Sequence, residues 1–336
     1  MSLKSRRLVR AALLLTGVVI AAACGSTTSQ PQAQHQQINV AIIEEGPATV
    51  GSYNSTHTTA FTAMCQKYNF QCHIIDNVDY PKAAETLRNL ASQGTNLIIA
   101  NSNGYADALL EVAPQFPKTW FVMTSDIDST KGNKNLAAFV QNWQEFGFMG
   151  GLVAGYLTRT GVMGYVIGQE LTAAKAAMSG FLQGADIGHP GSKLLYRYTN
   201  SWTDTAAAKD AAQAEMAAGA DVVTGIDGGG NPGIIQAAQE QKTWYIGYLA
   251  DEYQTAPGSI PTSMVENVGL IYDEVGGYYT NHTLQPKIYM GTVANGVITL
   301  APFHNVPQDV IDKVNAEIQK LKSGEFQVQS TLYPPQ

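Results

Sequence analysis

The segment Gly219-Ala220-Asp221-Val222-Val223-Thr224-Gly225-Ile226-Asp227-Gly228-Gly229-Gly230-Asn231-Pro232-Gly233 passes from a β-branched run, through three consecutive glycines, into a helix that begins near Pro232. Residues 221–224 have the character of a strand, and 232–241 carry helical spacing. Glycine at the junction lets backbone approach a neighbour or a ligand with no side chain between them. Asp227 stands just ahead of the glycines, where it either reaches a ligand or caps the helix. A strand handed through such a turn to a helix is the unit of a parallel sheet covered on both faces. The same alternation continues outward. Residues 164–168, 194–198 and 243–247 read as strands, with helices at 172–187 and 204–218. Nearer the start, 38–43, 71–76, 96–100, 119–123 and 136–140 read as strands, separated by helical segments at 58–68, 82–92 and 105–112. A helix at 145–159, dense in glycine and alanine, separates the two series and predicts close packing against a neighbour. Right-handed crossovers leave little freedom in the winding. The expected fold is therefore α/β with two lobes, each a doubly wound parallel sheet with helices on both faces. The first lobe takes 38–141 with about 265–288, and the second about 142–264 with 289–336.

The chain has 336 residues and is 45% hydrophobic, enough for two α/β lobes. Only 14% of residues are charged and the net charge is -7, which excludes the clustered basic footprint of a nucleic-acid binder. Lys4, Arg6, Arg7 and Arg10 precede an apolar run from Ala11 to Ala23. That run is too short to span a bilayer and has the proportions of a signal peptide, assigned to 1–23. Ala21-Ala22-Ala23-Cys24 resembles a lipobox, so Cys24 is the expected lipidation site and the chain is expected at the extracytoplasmic face of a cell membrane. Residues 24–37, rich in Ser, Thr, Gln and Pro, are the expected tether. Cys65 and Cys72 either pair, as export permits, or stay separate buried thiols.

Ligands of open α/β sheets bind beyond the carboxyl ends of the strands. The segments to examine are therefore 44–54, 101–104, 124–126, 168–170, 225–230 and 249–252. Asp126 and Asp251 each follow a strand; a carboxylate there accepts from sugar hydroxyls or base N–H groups, or else caps a turn. Trp143 falls where the chain first crosses between lobes, so hinge packing and cleft lining both suit it. Gly228-Gly229-Gly230 lacks the Gly-Lys-Ser/Thr ending of a nucleotide-hydrolysing loop. No nucleophile elbow, His-Glu-x-x-His motif or histidine cluster is present among the six histidines. No catalysis, cofactor or metal is expected.

Several post-strand segments resemble one family, the basic membrane proteins, which are purine-nucleoside-binding lipoproteins of ABC importers. Asn103-Gly104-Tyr105-Ala106-Asp107-Ala108-Leu109 resembles its Gly-Tyr/Phe-x-Asp-Ala-Leu stretch, and Phe121-Val122-Met123-Thr124-Ser125-Asp126 its Phe-Ala-Ile-Ile-Asp strand. Residues 145–155 resemble its Glu-x-x-Phe-Leu-Ala-Gly helix, and 219–233 its Gly-Ala-Asp-Val-Ile…Gly-Gly-x-Gly block. The resemblance runs from about residue 38 to about 303. It implies a type I periplasmic-binding-protein fold, a small-molecule ligand, and permease and ATPase subunits as partners, with the chain itself a monomer. Ser52-Tyr53-Asn54 is similar to the family's Ser-Phe-Asn, so Tyr53 would stack on the purine and Asn54 would bond its edge. Ser201-Trp202-Thr203-Asp204 is similar to Ser-Phe-x-Asp, making Trp202 the opposing ring. Two departures stand out. Leu249 replaces the first carboxylate of Gly-Val-Asp-x-Asp-Gln, and Glu266 replaces the lysine of Ser-Val-Val-Lys. An acceptor in place of a donor implies a ligand that offers donors at that wall. A sensory lipoprotein of the same fold, or a binder of a sugar or other small polar metabolite, would share most of these features.

Overall fold

The computed structural model describes residues 37–47 and 52–334; the predicted leader, Cys24 and the tether as far as residue 36 lie outside the described residues. The first part of the chain forms β1 (Asn39–Glu44), α1 (Ser52–Tyr68), β2 (Gln71–Ile75), α2 (Ala83–Ser92) and β3 (Leu97–Asn101). It continues through α3 (Ala106–Val112), β4 (Trp120–Met123) and β5 (Leu136–Gln141). Next come α4 (Trp143–Leu157), β6 (Val162–Ile167), α5 (Thr172–Gly188), β7 (Lys193–Tyr198), α6 (Thr205–Ala217) and β8 (Val222–Ile226). Then α7 (Asn231–Gln241), β9 (Trp244–Tyr245), β10 (Gly247–Leu249), β11 (Ser263–Glu266) and α8 (Val268–Thr280) follow. The last elements are β12 (Ile288–Gly291), β13 (Ile298–Leu300) and α9 (Gln308–Ser323).

A six-stranded sheet is ordered β12-β5-β4-β3-β1-β2 and every pairing in it is parallel. A four-stranded sheet, β7-β6-β8-β9, is parallel throughout as well. In both, the winding reverses beside the first strand, between β1 and β3 and between β6 and β8. A crevice opens at such a reversal, beyond the strands' carboxyl ends. Strands covered on both faces read as continuous apolar runs, and Val40 to Ile43, Leu97 to Ala100 and Val222 to Ile226 are buried throughout. Apolar clusters fill the two faces of each sheet. Phe61, Met64 and Tyr272 lie on one side of the larger sheet, and Leu87, Tyr105 and Leu109 on the other. The α/β class expected from the alternation, and the type I architecture that the family resemblance implies, are what the molecule has.

β10, β11 and β13 form a third small sheet, with β11 and β13 antiparallel. The expected strand over 243–247 is broken at Ile246, because β10 leaves β9 to pair with β11. The chain passes from β5 into α4 at Asn142, returns from β11 to α8 at Asn267, and leaves β12 for β13 across 292–297. These crossings are tied together. Asn142 N–H donates to Gly291 O at 2.8 Å, Asn267 N–H to Val297 O at 2.6 Å, and Val293 N–H to the Glu145 carboxylate at 2.7 Å.

The glycine-rich helix packs as its composition predicts. A Cβ at Gly147, Gly151 or Gly155 would fall 1.9, 1.8 and 2.2 Å from the carbonyl oxygens of Ala177, Phe181 and Ala185 on α5. α4 and α5 therefore touch backbone to backbone. Cys65, near the end of α1, is disulfide-bonded to Cys72 in β2.

Candidate functional site

Helix α1 begins at Ser52, six residues ahead of the predicted 58, so Tyr53 and Asn54 occupy its first turn rather than a loop. The added turn is poor in strong helix formers. Tertiary burial holds it, since Asn54, His57 and Phe61 line one face and are all buried. Tyr53 packs its ring on His57 at a centroid distance of 4.5 Å, and His57 meets Tyr272 edge-on at 5.7 Å. α1 also approaches the Gly228–Gly230 turn, which follows β8 of the other parallel sheet. Tyr53 itself packs against the apolar cluster that contains Phe146, Tyr248 and Met264.

Beneath Tyr53 lies a buried polar circuit at the ends of β1, β3 and β4. Glu44 and Asn101 are register partners on β1 and β3, and both are fully buried. Thr58 Oγ1 donates to Glu44 Oε1 at 3.2 Å, and Thr124 Oγ1 donates to Asn101 Oδ1 at 3.1 Å. The Tyr272 hydroxyl lies 3.4 Å from Thr124 Oγ1 and 3.2 Å from His57 Nδ1. Burial pushes the Glu44 carboxyl up to about 8, with Glu45 and Asp76 adding to the rise, and pushes the His57 imidazole down to about 3. At neutral pH His57 is therefore uncharged. Glu44 Oε2, Asn54 Oδ1, His57 Nε2 and Asn101 Nδ2 have no hydrogen-bond partner among the described residues.

A second wall carries Asp126, Trp143 and Glu266. Trp143 Nε1 donates to Asp126 Oδ1 at 2.8 Å, fixing the indole at the start of α4 just past the first crossing. Glu266, the last residue of β11, is buried, and burial together with the charge of Asp126 raises its carboxyl to about 8. Burial likewise raises Asp126. The Tyr53 hydroxyl is buried, feels both Glu266 and Glu45, and lies beside the Ser125 hydroxyl; its pKa is well above the usual tyrosine value, chiefly through burial.

The four-stranded sheet contributes Trp202 and Asp227. Trp202 lies over Gly168 at the end of β6, where a Cβ on the glycine would sit 2.3 Å from the indole Cε3. Its carbonyl accepts from Gly229 N–H at 2.9 Å, and at 37% exposure it is one of the few open large apolar side chains. Asp227 does not cap the helix behind it. Its Oδ2 accepts from Thr199 Oγ1 at 2.9 Å, its Oδ1 has no partner among the described residues, and burial raises the carboxyl to about 6. Gly228 adopts φ 52°, the left-handed conformation that starts the glycine turn.

Asp251 stands apart from this group. It is exposed and accepts the Tyr253 N–H at 3.1 Å, a turn-capping contact. The half-buried acid at that edge is its neighbour Glu252, whose Oε2 accepts from Tyr248 N–H at 2.8 Å and from the Tyr245 hydroxyl at 3.2 Å. Glu44 and Asn101 fall within the post-strand windows but carry no motif that singles them out. His57 and Tyr272 are separated by 215 positions, so nothing local announces their contact.

Two doubly wound parallel sheets joined by three crossings, with polar and aromatic groups gathered at both winding reversals, have the fold of the type I periplasmic binding proteins. The crystal structure of an ABC transporter solute-binding protein from Conexibacter woesei matches with TM-score 0.72 and 22% identity, over 87% of this chain and 99% of that one. That of a transcriptional activator of the comK gene from Bacillus halodurans matches with TM-score 0.76 and 21% identity, over 87% and 100%. The chain belongs to the family of PnrA-like ABC transporter substrate-binding proteins (Bmp), whose model matches residues 37–331. A purine-binding protein of Brucella abortus is 24% identical over 312 residues, 92% of this chain and 88% of that protein. Substrate-binding proteins of ABC transporters capture small molecules outside the cytoplasm for a permease and its ATPase, and they are not enzymes. No helix among the described residues is long and apolar enough to cross a membrane.

Proposed function

We propose that the chain is the lipid-anchored receptor of an ABC importer and captures a purine nucleoside or nucleobase between Tyr53 and Trp202. In this reading the six-stranded sheet with α8 is one lobe, the rest of the folded chain is the other, and they close about the crossings near residues 142, 267 and 292–297. The observation that carries the reading is an aromatic ring at the carboxyl edge of each parallel sheet, Tyr53 by the first winding reversal and Trp202 over Gly168 by the second. A planar heterocycle between two such rings loses both faces to stacking, at about 1–3 kcal/mol per ring. Asn54, Asp126, Asp227 and Glu266 offer acceptors to the ligand's N–H and hydroxyl groups, and Gly228 lets backbone approach it. Asp251 would stand at the rim. The name of the Brucella abortus relative supports a purine over other small metabolites. Cys24 would carry the lipid.

The test is a calorimetric panel of guanosine, inosine, adenosine, the free bases and pentoses on the purified chain. Purines are expected to bind and pentoses alone are not. Trp202→Ala is expected to weaken the bound purine by about tenfold or more, in line with the loss of one stacking face. Binding of a pentose but no purine, or an unchanged dissociation constant in Trp202→Ala, overturns the reading.

A further inference from the structure

We infer that the cleft selects a ligand bearing a positively charged nitrogen group, held by Tyr53, Tyr272 and Trp143 among the carboxyl groups of Glu45, Asp126 and Glu266. Three observations converge on this. The first is the company the rings keep. The Tyr53 hydroxyl feels Glu266 and Glu45, the Tyr272 hydroxyl feels Glu44 and Glu266, and the Trp143 indole N–H is bonded to Asp126. The carboxyls therefore gather about the hydroxyls and indole N–H of one set of aromatic side chains.

The second is the absence of a counter-charge. Among the described residues, no lysine or arginine acts on Glu45, Asp126, Asp227, Glu252 or Glu266, and none of these carboxyls enters an ion pair. Some described acids elsewhere do enter ion pairs, as Glu240 does with Lys209 and Asp273 with Lys67. Burying carboxylates without a cation is costly, so burial drives all five toward the neutral form. A cationic ligand would return them to the charged form and be bound by it.

The third is the hydrogen-bond balance. Glu45 Oε2, Asn54 Oδ1 and Asp227 Oδ1 are buried without a partner among the described residues, whereas Glu44 and Asn101 are register partners and complement each other, and His57 Nε2 donates or accepts according to its tautomer. Asn54, Glu44 and Asp227 are each more than nine-tenths buried. Once a cation holds the carboxyls ionised they are acceptors only, and the ligand's N–H groups would supply the donors these oxygens lack. A bare metal ion is a poor occupant, because no group of three or more His, Cys, Asp or Glu among the described residues is arranged to hold one. Aromatic faces with flanking acids suit an organic cation, which gains from the ring quadrupole as well as from charge. The inference rests on the purine reading only for the shape of the ligand, so the positive charge has two sources, a purine with a quaternised ring nitrogen or a simple quaternary amine.

The experiment is calorimetry of the full-length chain at neutral pH with 1-methyladenosine, 7-methylguanosine, their parents adenosine and guanosine, adenosine monophosphate, and choline. At least one methylated, cationic nucleoside is expected to bind about tenfold or more tightly than its neutral parent, as a desolvated cation–π contact allows, and the monophosphate is expected to bind worst. Glu266→Gln and Asp126→Asn, each shape-preserving, are expected to bring that ratio below about threefold by removing the charge that the cation meets. The unliganded melting temperatures of both variants establish that they are folded. Neutral parents binding as tightly as the cations would overturn the inference and leave the purine reading standing. Choline binding with no purine binding would do the reverse. A ratio unchanged in both variants overturns the assignment to these carboxyls, and silence from every probe overturns both readings.

Discussion

Glu215 shows what burial does to a carboxyl group when little is supplied to offset its charge. It is 1% exposed on α6, and neither carboxyl oxygen has a hydrogen-bond partner among the described residues. Gly164 on β6 makes its room, since a Cβ there would lie 2.4 Å from Glu215 Oε2. Burial lifts the carboxyl to about 9, opposed only in part by Arg197 and the nearby Tyr165 backbone. The folded pKa lies above the unfolded value, so the folded chain holds the proton where the unfolded chain releases it. Stability from this group is complete below the ordinary glutamate pKa and is lost as pH rises toward 9. The slope is at most about 1.4 kcal/mol per pH unit. Urea denaturation of wild type and Glu215→Gln through that window should therefore diverge, the wild type falling and the variant staying flatter. Parallel curves would remove Glu215 from the account. Single-residue reading succeeds or fails on the same ground. Asp126 is legible because it follows a strand, but Asp251 and Glu252 follow one equally, and only packing against Tyr245 and Ser263 makes Glu252 the less exposed of the two.

Among elements, the α4–α5 pair turns composition into contact distance. Gly147, Gly151 and Gly155 recur at helical spacing, and that stripe is a promise of a close neighbour that α5 fulfils with its own Gly180, Gly184 and Gly188. Gly151→Ala must push a Cβ away from a carbonyl oxygen 1.8 Å distant. Both atoms belong to backbone or its first branch, so neither can rotate aside. A loss of about 3 kcal/mol in chemical denaturation is expected, the upper end for overpacking. A loss below about 1 kcal/mol would mean the helices can part cheaply. The opposite case is α1, whose opening turn is unreadable locally. Serine, threonine and asparagine favour caps and turns over helix interiors, and the turn forms because His57 and Phe61 have partners on α8. α9 was the easier miss. Val310, Val314, Ile318 and Leu321 lie at helical intervals and are buried, a pattern available from the residues themselves.

For the molecule as a whole, the two lobes proposed above would swing about the three crossings seen among the described residues. Ligand that binds across them should favour the shut arrangement by its differential affinity for it. Small-angle scattering is expected to show a smaller radius of gyration on saturation with the bound purine, and the melting temperature should rise. At a ligand concentration of about 100 times the dissociation constant, the added stability is about 2.7 kcal/mol. Binding with no change in the scattering profile would count against a hinged clamp. Strand–helix alternation, the doubly wound class and the strand-end location of ligand groups were all written in local sequence, because periodicity and glycine placement act over a few residues. The circuit from Glu44 through Asn101, Thr124 and Tyr272 to His57, and the gathering of Glu266 with Asp126 around Tyr53, came from tertiary structure alone. Those groups are brought together by sheet register and by α8 returning across the chain, and burial then sets their charge; neither has any signature in the neighbours of a single residue.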